Sequence, residues 1–232
     1  KDLTAVESSP SATNWDRYWG GAPREGASDL VFEVCATWFR ALFNKPFLER
    51  IMARFFRPGD RVLHAGCGSG QVDQRLRHWL EVSACDISSE AVRMYDQLNL
   101  PYCRAQVADI MDLPYADGEF DGVYNLGVME HFTEEEILRT FREFHRVLRP
   151  GGRIVIFWPP LNSPILYVLK LFQWVSSRLD RNTKEPPYPP EISRVASRAQ
   201  GEKWLSSLGF RPVYCEFSFR DLFTQYVFVA EK

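Results

Sequence analysis

The sequence predicts an α/β domain in which a mainly parallel sheet is wrapped by helices. Three observations lead there. Between residues 61 and 158 short apolar runs alternate with amphipathic stretches, the rhythm of strand–helix–strand units. A glycine-rich turn, "AGCGSG" at 65–70, follows the first of those runs directly and precedes a helix-periodic stretch, as nucleotide-binding strand–turn–helix units do. The length, 232 residues, suits one sizeable core.

Taken in order, residues 1–14 are Ser-rich and polar, order is expected to begin at "NWDRYWG", and a Gly/Pro stretch runs to about Ser28. Residues 1–28 therefore read as a flexible segment ahead of a single domain, 29–232. From Leu30 to Phe56 apolar residues (Leu30, Val34, Trp38, Leu42, then Phe47, Leu48, Ile51, Met52, Phe55) recur at helical spacing, with Pro46 opening a second helix. "RPGDRVLHAG" gives a turn and a strand at 61–65, followed by helix 71–80, strand 82–86, helix 89–98, strand 103–107, strand 120–125, helix 133–148 and strand 153–158. Ser88 or Ser89 can cap helix 89–98, Thr133 with Glu136 forms a capping box, and "RPGG" at 149–152 stops the helix before it.

After Trp158 the rhythm breaks into an insertion, 159–197. Asn162 or Ser163 caps a helix with Pro164 in its first turn and Ile165, Leu169, Phe172, Val175 and Leu179 on one face, and a Pro-rich loop, "EPPYPP", follows. The chain closes with helix 198–208, "GF" at 209–210, and two strands near 211–218 and 224–230 that read as an antiparallel pair.

Composition excludes several classes. Lys+Arg 28 against Asp+Glu 30 gives a net charge of −2, so nothing draws the chain to phosphate backbones or anionic membranes through bulk charge. Its five cysteines are odd in number and include no C-x-x-C, which fits neither a disulfide framework nor a zinc ribbon and points to a reducing, cytoplasmic setting. The first residues lack an apolar h-region and no window holds eighteen uncharged apolar residues, so neither a signal peptide nor a spanning helix is expected.

In a parallel sheet, ligands bind at the carboxyl ends of the strands. Glycines at 66, 68 and 70 let a ligand approach the backbone, and a helix N-terminus offers free N–H groups; a tight turn without ligand would use the same residues. Two acids add weight. Asp86 ends the second strand, where a carboxylate can accept both hydroxyls of an adenosine ribose, and Asp109 follows the third, where it can take a hydrogen bond from an adenine amino group. A dinucleotide fingerprint would need glycine at 69 or 71, but those positions are Ser69 and Gln71.

"VLHAGCGSG", "ACDIS", "ADIMDLPYADGEFDGVYNLGVMEHF" and "FHRVLRPGGRIVIFWPP" together resemble the consecutive motifs of class I S-adenosylmethionine-dependent methyltransferases, in the small-molecule, ubiquinone- and menaquinone-methyltransferase-like branch. The resemblance covers about residues 55–160. It implies a Rossmann-like seven-stranded sheet, mostly parallel with an antiparallel last strand, helices on both faces, N-terminal helices and a lid inserted after the fifth strand. It also implies S-adenosylmethionine as cofactor. Gly66, Cys67 and Gly68 would line its methionine and ribose portion, Asp86 and Ile87 the ribose and one adenine face, Asp109 and Ile110 with Met111 the adenine edge, and Asn125 with Leu126 the sulfonium side. One position departs from the family. An acid usually stands where this chain has His64, and it helps hold the cofactor's amino group. A neutral imidazole can accept that hydrogen bond and an imidazolium would repel the ammonium, so binding is expected to weaken at acid pH; the alternative is that His64 packs beneath the loop.

Methyl transfer from a sulfonium is an in-line displacement in which alignment and exclusion of water supply most of the catalysis. For a hydroxyl acceptor a base helps, and His131 in "MEHF" is the best placed candidate, unless it only caps or packs. Ubiquinone-type relatives can hold a metal on a Glu-x-x-Glu-His cluster, but Gly127 stands in the first Glu position, and Glu130 and His131 alone make a poor site, so no metal is expected. "EPPYPP" is not the base-stacking motif of amino-group nucleic-acid methyltransferases, because that motif should follow the fourth strand, where this chain has "NLGV". No nucleic-acid partner is expected. Trp15, Tyr18, Trp19, Trp158, Tyr167 and Trp174 are candidate walls for an apolar or aromatic acceptor, against a purely packing role for each. Leu166, Leu169, Leu171 and Phe172 allow shallow membrane contact, which Lys170 and Arg178 alone support weakly. His145 reads as structural and His78 as solvated. The resulting expectation is methylation of a small acceptor, on oxygen first. Its rivals are an NAD(P)-dependent reductase or epimerase, disfavoured by the glycine spacing, and a cofactor-binding protein without turnover.

Overall fold

The structure, a computed structural model, describes residues 10–21, 38–163 and 189–232. Its strands are β1 (Arg61–Ala65), β2 (Glu81–Asp86), β3 (Ala105–Val107), β4 (Phe120–Leu126), β5 (Leu148–Trp158), β6 (Arg211–Glu216) and β7 (Tyr226–Glu231), and its α-helices are α1 (Ala12–Trp19), α2 (Lys45–Phe55), α3 (Ser89–Asn99), α4 (Glu134–Val147) and α5 (Arg198–Ser207). The strands form one seven-stranded sheet in the order β3-β2-β1-β4-β5-β7-β6. β7 alone runs against its neighbours, antiparallel to β5 and to β6. This is the expected mixed sheet. Strand order reverses between β1 and β4, so the crevice beyond their carboxyl ends is where a ligand should sit.

β5 shows why the sheet is covered on both sides. Ile154 and Ile156 pack with Ile137, Phe141 and Phe144 of α4, whereas Val155 and Phe157 pack with Phe47, Leu48 and Ile51 of α2. Successive side chains of a strand point to opposite faces, so a continuous apolar run needs a layer on each. Every one of these side chains is at most 3% exposed, and burial of each is worth on the order of 1.5–3 kcal/mol. Thr133 and Glu136 form the expected capping box on α4, and Ser88 caps α3.

Several expectations are corrected. The stretch 71–80 forms no α-helix but two short 3₁₀ turns, Gln71–Gln74 and Leu76–His78. Gly70, at φ 67°, offers no side-chain cap, Asp73 is drawn inward to partners on three other elements, and Arg77 donates to the Leu98 carbonyl of α3. β3 begins at Ala105 because the Cys103 N–H bonds Asn99. β5 begins earlier than expected, with Leu148 paired to Phe120 and the register jumping to Arg153 opposite Gly122. α1 starts at Ala12, two residues ahead of the stretch where order is expected to begin, held by a capping box between Ser11 and Asn14. Residues 40–44 wind as a π-helical turn into α2, and Trp38 and Leu42, expected on a buried face, are 61% and 59% exposed: the wider turn breaks the 3.6-residue period that would align them with α2. Leu30, Val34 and the helix expected at 164–179 lie outside the described residues.

Candidate functional site

β1 delivers the chain to the glycine turn, where Gly66, Gly68 and Gly70 all have positive φ, 74°, 50° and 67°, a region that L side chains enter only under strain. Their surroundings differ. A Cβ on Gly70 would overlap the Tyr95 ring of α3, one on Gly66 would meet Val128 Cγ2 at 2.6 Å, and one on Gly68 would meet the Trp19 indole at 2.7 Å. All three line a cavity of ≈ 460 Å³, within the range of small-molecule sites, and Gly70 in addition permits close packing against α3.

The ends of four consecutive parallel strands wall that cavity. Beyond β2, Asp86 accepts from the Gly68 N–H with Oδ2 (2.8 Å) and from the Ser88 N–H with Oδ1 (2.9 Å). Burial pushes its carboxyl up from the ordinary range, and those two bonds pull it back. A carboxylate has about four acceptor sites, so each oxygen keeps one lone pair for a ligand hydroxyl. Ile87 lies beside it, and beyond β3 come Asp109, Ile110 and Met111. Asp109 Oδ1 is held by the Met111 N–H at 2.8 Å. Leu126, Gly127 and Val128 follow β4. Cys67 also lines the cavity, and burial holds its thiol well above the usual range, so it stays protonated.

His64 lies under the turn, 2% exposed but on the cavity wall. Its Nδ1 is 2.8 Å from Asp73 Oδ2, and its ring stacks on Tyr124 with centroids 4.4 Å apart. The ring thus packs beneath the loop and at the same time forms part of the cavity wall.

α1 covers the crevice. Asp16 Oδ1 accepts from Ser88 Oγ at 2.7 Å, with Ser89 Oγ and the Glu90 N–H at 3.3 Å, an anion at a helix N-terminus, where the dipole favours it. Trp15, Tyr18 and Trp19 thereby come to the cavity. Trp15 meets the His131 ring edge-on at 4.9 Å.

The far end is built by the 3₁₀ turn Met129–His131 and the segment 189–195. The Glu130 carbonyl accepts from the N–H groups of Ile192 (2.6 Å) and Ser193 (2.9 Å), and Ser193 Oγ donates to the Met129 carbonyl at 2.8 Å. His131 Nδ1 lies 2.9 Å from the Pro190 carbonyl. A carbonyl only accepts, so Nδ1 carries the proton and Nε2 the lone pair. Burial lowers the His131 imidazole below its ordinary 6.5, and it is neutral at pH 7. The Glu130 carboxyl, buried and with Oε2 lacking a hydrogen-bond partner among the described residues, is pushed up to about 8 by burial, with Glu191 adding to the shift. Glu191 pairs with Arg194.

Two expected site residues are elsewhere. Asn125 does not line the cavity; it is fully buried and donates to the Ala65 carbonyl at 2.5 Å, because its side chain leaves β4 on the side of the glycine turn's backbone. Trp158 is 1% exposed, stacks on Trp204 at 5.0 Å and is not among the cavity's lining residues. Tyr167, Trp174 and the apolar residues considered for membrane contact lie outside the described residues. His145 packs edge-on against Phe210, and His78 against Tyr102 on a 3₁₀ turn. Among the described residues no group of three or more His, Cys, Asp or Glu side chains could hold a metal ion, and no helix is long and apolar enough to cross a membrane.

Sequence reasoning missed Asp73, Glu191 and Gln225. The last two line the cavity from distant parts of the chain, which only the topology brings in. Asp73 had one local signal, an acid between Val72 and Leu76 in a stretch otherwise turned inward.

Residues 63–156 match the family described as "Methyltransferase domain". Over 129 residues the chain is 31% identical to "Probable tRNA methyltransferase 9B" of Mus musculus, covering 55% of this chain and 28% of that protein. It is 29% identical over 195 residues to "Malonyl-[acyl-carrier protein] O-methyltransferase" of Herminiimonas arsenicoxydans, covering 81% and 67%, and 30% identical over 159 residues to "Demethylmenaquinone methyltransferase" of Symbiobacterium thermophilum, covering 60% and 62%. The chain spans less than a third of the length of the tRNA methyltransferase 9B relatives it matches. Among solved structures, a putative methyltransferase in complex with the Trm112 activator of Haloferax volcanii superposes with TM-score 0.66 at 16% identity, covering 93% of this chain and 97% of that one. An S-adenosylmethionine-dependent methyltransferase from Methanosarcina mazei gives 0.61 at 21%, covering 78% and 96%. At such identities the likeness concerns the fold.

Proposed function

We propose that the chain is a class I S-adenosylmethionine-dependent methyltransferase, a reading supported by the match of residues 63–156 to a methyltransferase-domain family, and that it methylates a small acceptor, on a hydroxyl oxygen, with His131 as general base. The residues present suit the cofactor. Asp86 keeps a lone pair on each oxygen for ribose hydroxyls, Asp109 bonds the Met111 N–H through Oδ1 and presents Oδ2 as an acceptor for an adenine amino group, and Gly66 and Gly68 add no side chain to the same wall, where Val128 and Trp19 are their neighbours. When bound, the cofactor supplies an electrophilic methyl group on a sulfonium.

The chain's own groups do the rest. Trp15, Tyr18 and Trp19 close the crevice and keep water out, which sharpens alignment in a reaction that loses charge. His131 Nε2 takes the acceptor's hydroxyl proton as the oxygen–methyl bond forms, and burial keeps that nitrogen unprotonated at neutral pH. The observation that carries this reading is the Nδ1–H bond to the Pro190 carbonyl, which leaves the ring one nitrogen with which to act as a base. The malonyl and menaquinone relatives act on small or carrier-bound acceptors by name, and the mouse relative acts on tRNA by name. Incubation with methyl-labelled S-adenosylmethionine, metabolite extract and bulk tRNA decides between them. Label is expected in a small hydroxyl compound. Label in tRNA, or only on nitrogen or carbon, would replace the reading.

A further inference from the structure

Beneath the glycine turn lies a side-chain network that the proposed chemistry does not use. Asp73 is fully buried. Its Oδ2 accepts from His64 Nδ1 (2.8 Å) and the Tyr95 hydroxyl (2.9 Å), and its Oδ1 from the Tyr124 hydroxyl (2.8 Å). Three elements, β1, α3 and β4, thus each direct one donor at one carboxylate carried by the loop itself. An ionised carboxylate only accepts, so its partners must all donate. Burial, reinforced by the Asp73 charge, pushes both phenols up and keeps them as donors.

The consequence falls on His64. A neutral imidazole has one N–H, and Asp73 claims it at Nδ1, so Nε2 carries the lone pair. Tyr124, stacked on the ring at 4.4 Å with planes 22° apart, keeps the imidazole in its plane. His64 is also part of the cavity wall beside Gly66 and Cys67. Asp86 lies across the turn, and His64 is among the groups that lower its carboxyl.

Resting on the cofactor reading above, we infer that Asp73 is a positioning residue of the cofactor site: it fixes His64 as the Nδ1–H tautomer, so that Nε2 accepts a hydrogen bond from the ammonium group of the cofactor's amino-acid portion. The carboxylate acts on the ligand's cation through the ring rather than by touching it.

Two ligands separate this role from simple support of the loop. S-adenosylhomocysteine carries the amino-acid portion, and 5′-methylthioadenosine has the same nucleoside and thioether without it. Asp73→Asn removes the charge and one acceptor oxygen. The variant is expected to lose about tenfold or more in affinity for S-adenosylhomocysteine, the size of one charge-assisted hydrogen bond, and to hold 5′-methylthioadenosine within about twofold. The protein has four histidines, so ¹⁵N spectra of histidine-labelled protein, with His64→Gln for assignment, read the tautomer directly. The wild type should show the proton on Nδ1 of His64, and the variant a mixture with Nε2–H. Equal loss for both ligands, or an unchanged affinity for S-adenosylhomocysteine, overturns the inference. Should Asp73→Asn not fold, the wild-type spectrum still decides, since a proton on Nε2 of neutral His64 overturns it too. A wild-type protein that binds neither ligand removes the cofactor reading itself.

Discussion

Trp19 of α1 lies on Gly68, so close that a Cβ there would come within 2.7 Å of its indole. A helix more than forty residues upstream of the sheet therefore rests directly on the turn that binds the cofactor in the proposed reading, and the contact that seats it is separate from the turn. Asp16 holds α1 to the N-terminus of α3 through Ser88 Oγ, and the neighbouring hydroxyl and amide lower its carboxyl from the ordinary range. Asp16→Ala is expected to release α1 without touching the cavity floor. Amide exchange over residues 12–19 should speed up, and cofactor affinity should fall about 3- to 20-fold, the range for one or two such bonds. Unchanged protection of α1 would show that the aromatic contacts alone hold it.

Asp86 has two duties that a substitution removes together. Its carboxylate ties the Gly68 and Ser88 amides and, in the proposed reading, meets the ribose. Asp86→Ala is expected to weaken cofactor binding by about 1–3 kcal/mol and to destabilise the apoprotein by a similar amount, because one buried and one half-buried amide lose their acceptor. Calorimetry and chemical denaturation check the two halves separately. Loss of stability with cofactor affinity intact would restrict the residue to the loop.

Gly70 and Gly68 share a backbone conformation but not a consequence. At Gly70 a methyl group would be driven into the Tyr95 ring and the Asn99 amide, which are fully buried and cannot move aside. Gly70→Ala should cost about 2–5 kcal/mol, combining overpacking with left-handed strain. At Gly68 the neighbour is an indole on a surface helix, so Gly68→Ala should cost mainly the strain, about 1–2 kcal/mol. Denaturant midpoints of the two variants test the order, and equal losses would contradict it.

How far the sequence could be read depends on whether the deciding contact is local. The strands and α4 were legible because their apolar period and caps are written within ten residues, as with Thr133 and Glu136. Asp86 and Asp109 were legible because strand ends are where a parallel sheet binds. The stretch after Gly70 was not: its helical period is real, but Asp73 finds three donors on other elements, and those contacts override a propensity worth a few tenths of a kcal/mol per residue. The side-chain directions of Trp158 and Asn125 were not legible either. Sequence position placed them beside the cavity, whereas the direction in which each side chain leaves its strand turns them into the core and behind the turn.

His131 gives the reaction its expected pH dependence. Burial depresses its imidazole below 6.5, so in the proposed mechanism the base is available throughout the neutral range and is lost only on protonation. With cofactor saturating, kcat/KM for the acceptor should fall as pH drops through a value below 6.5, and His131→Ala should reduce turnover about 10²- to 10⁴-fold with cofactor affinity unchanged. An acid limb that survives in His131→Ala would assign it to another group.

Glu130 makes stability fall as pH rises. Its carboxyl is pushed from 4.5 up to about 8 in the folded protein, so between those values the folded chain holds a proton that the unfolded chain releases. The sign follows from linkage. The contribution is complete below about 4.5 and declines by up to about 1.4 kcal/mol per pH unit until the folded group ionises near 8. Asp221, pushed up to about 6 by burial, acts in the same direction over a narrower range, so the wild-type curve alone cannot separate them. Glu130→Gln can, since it keeps a neutral group of the same shape and leaves Asp221 in place. The variant should gain stability relative to wild type steadily from pH 5 to 8 in urea denaturation. Parallel curves would mean that Glu130 is already ionised when buried, and its unpartnered Oε2 would then have to face a cation, because an unpaired buried charge costs several kcal/mol.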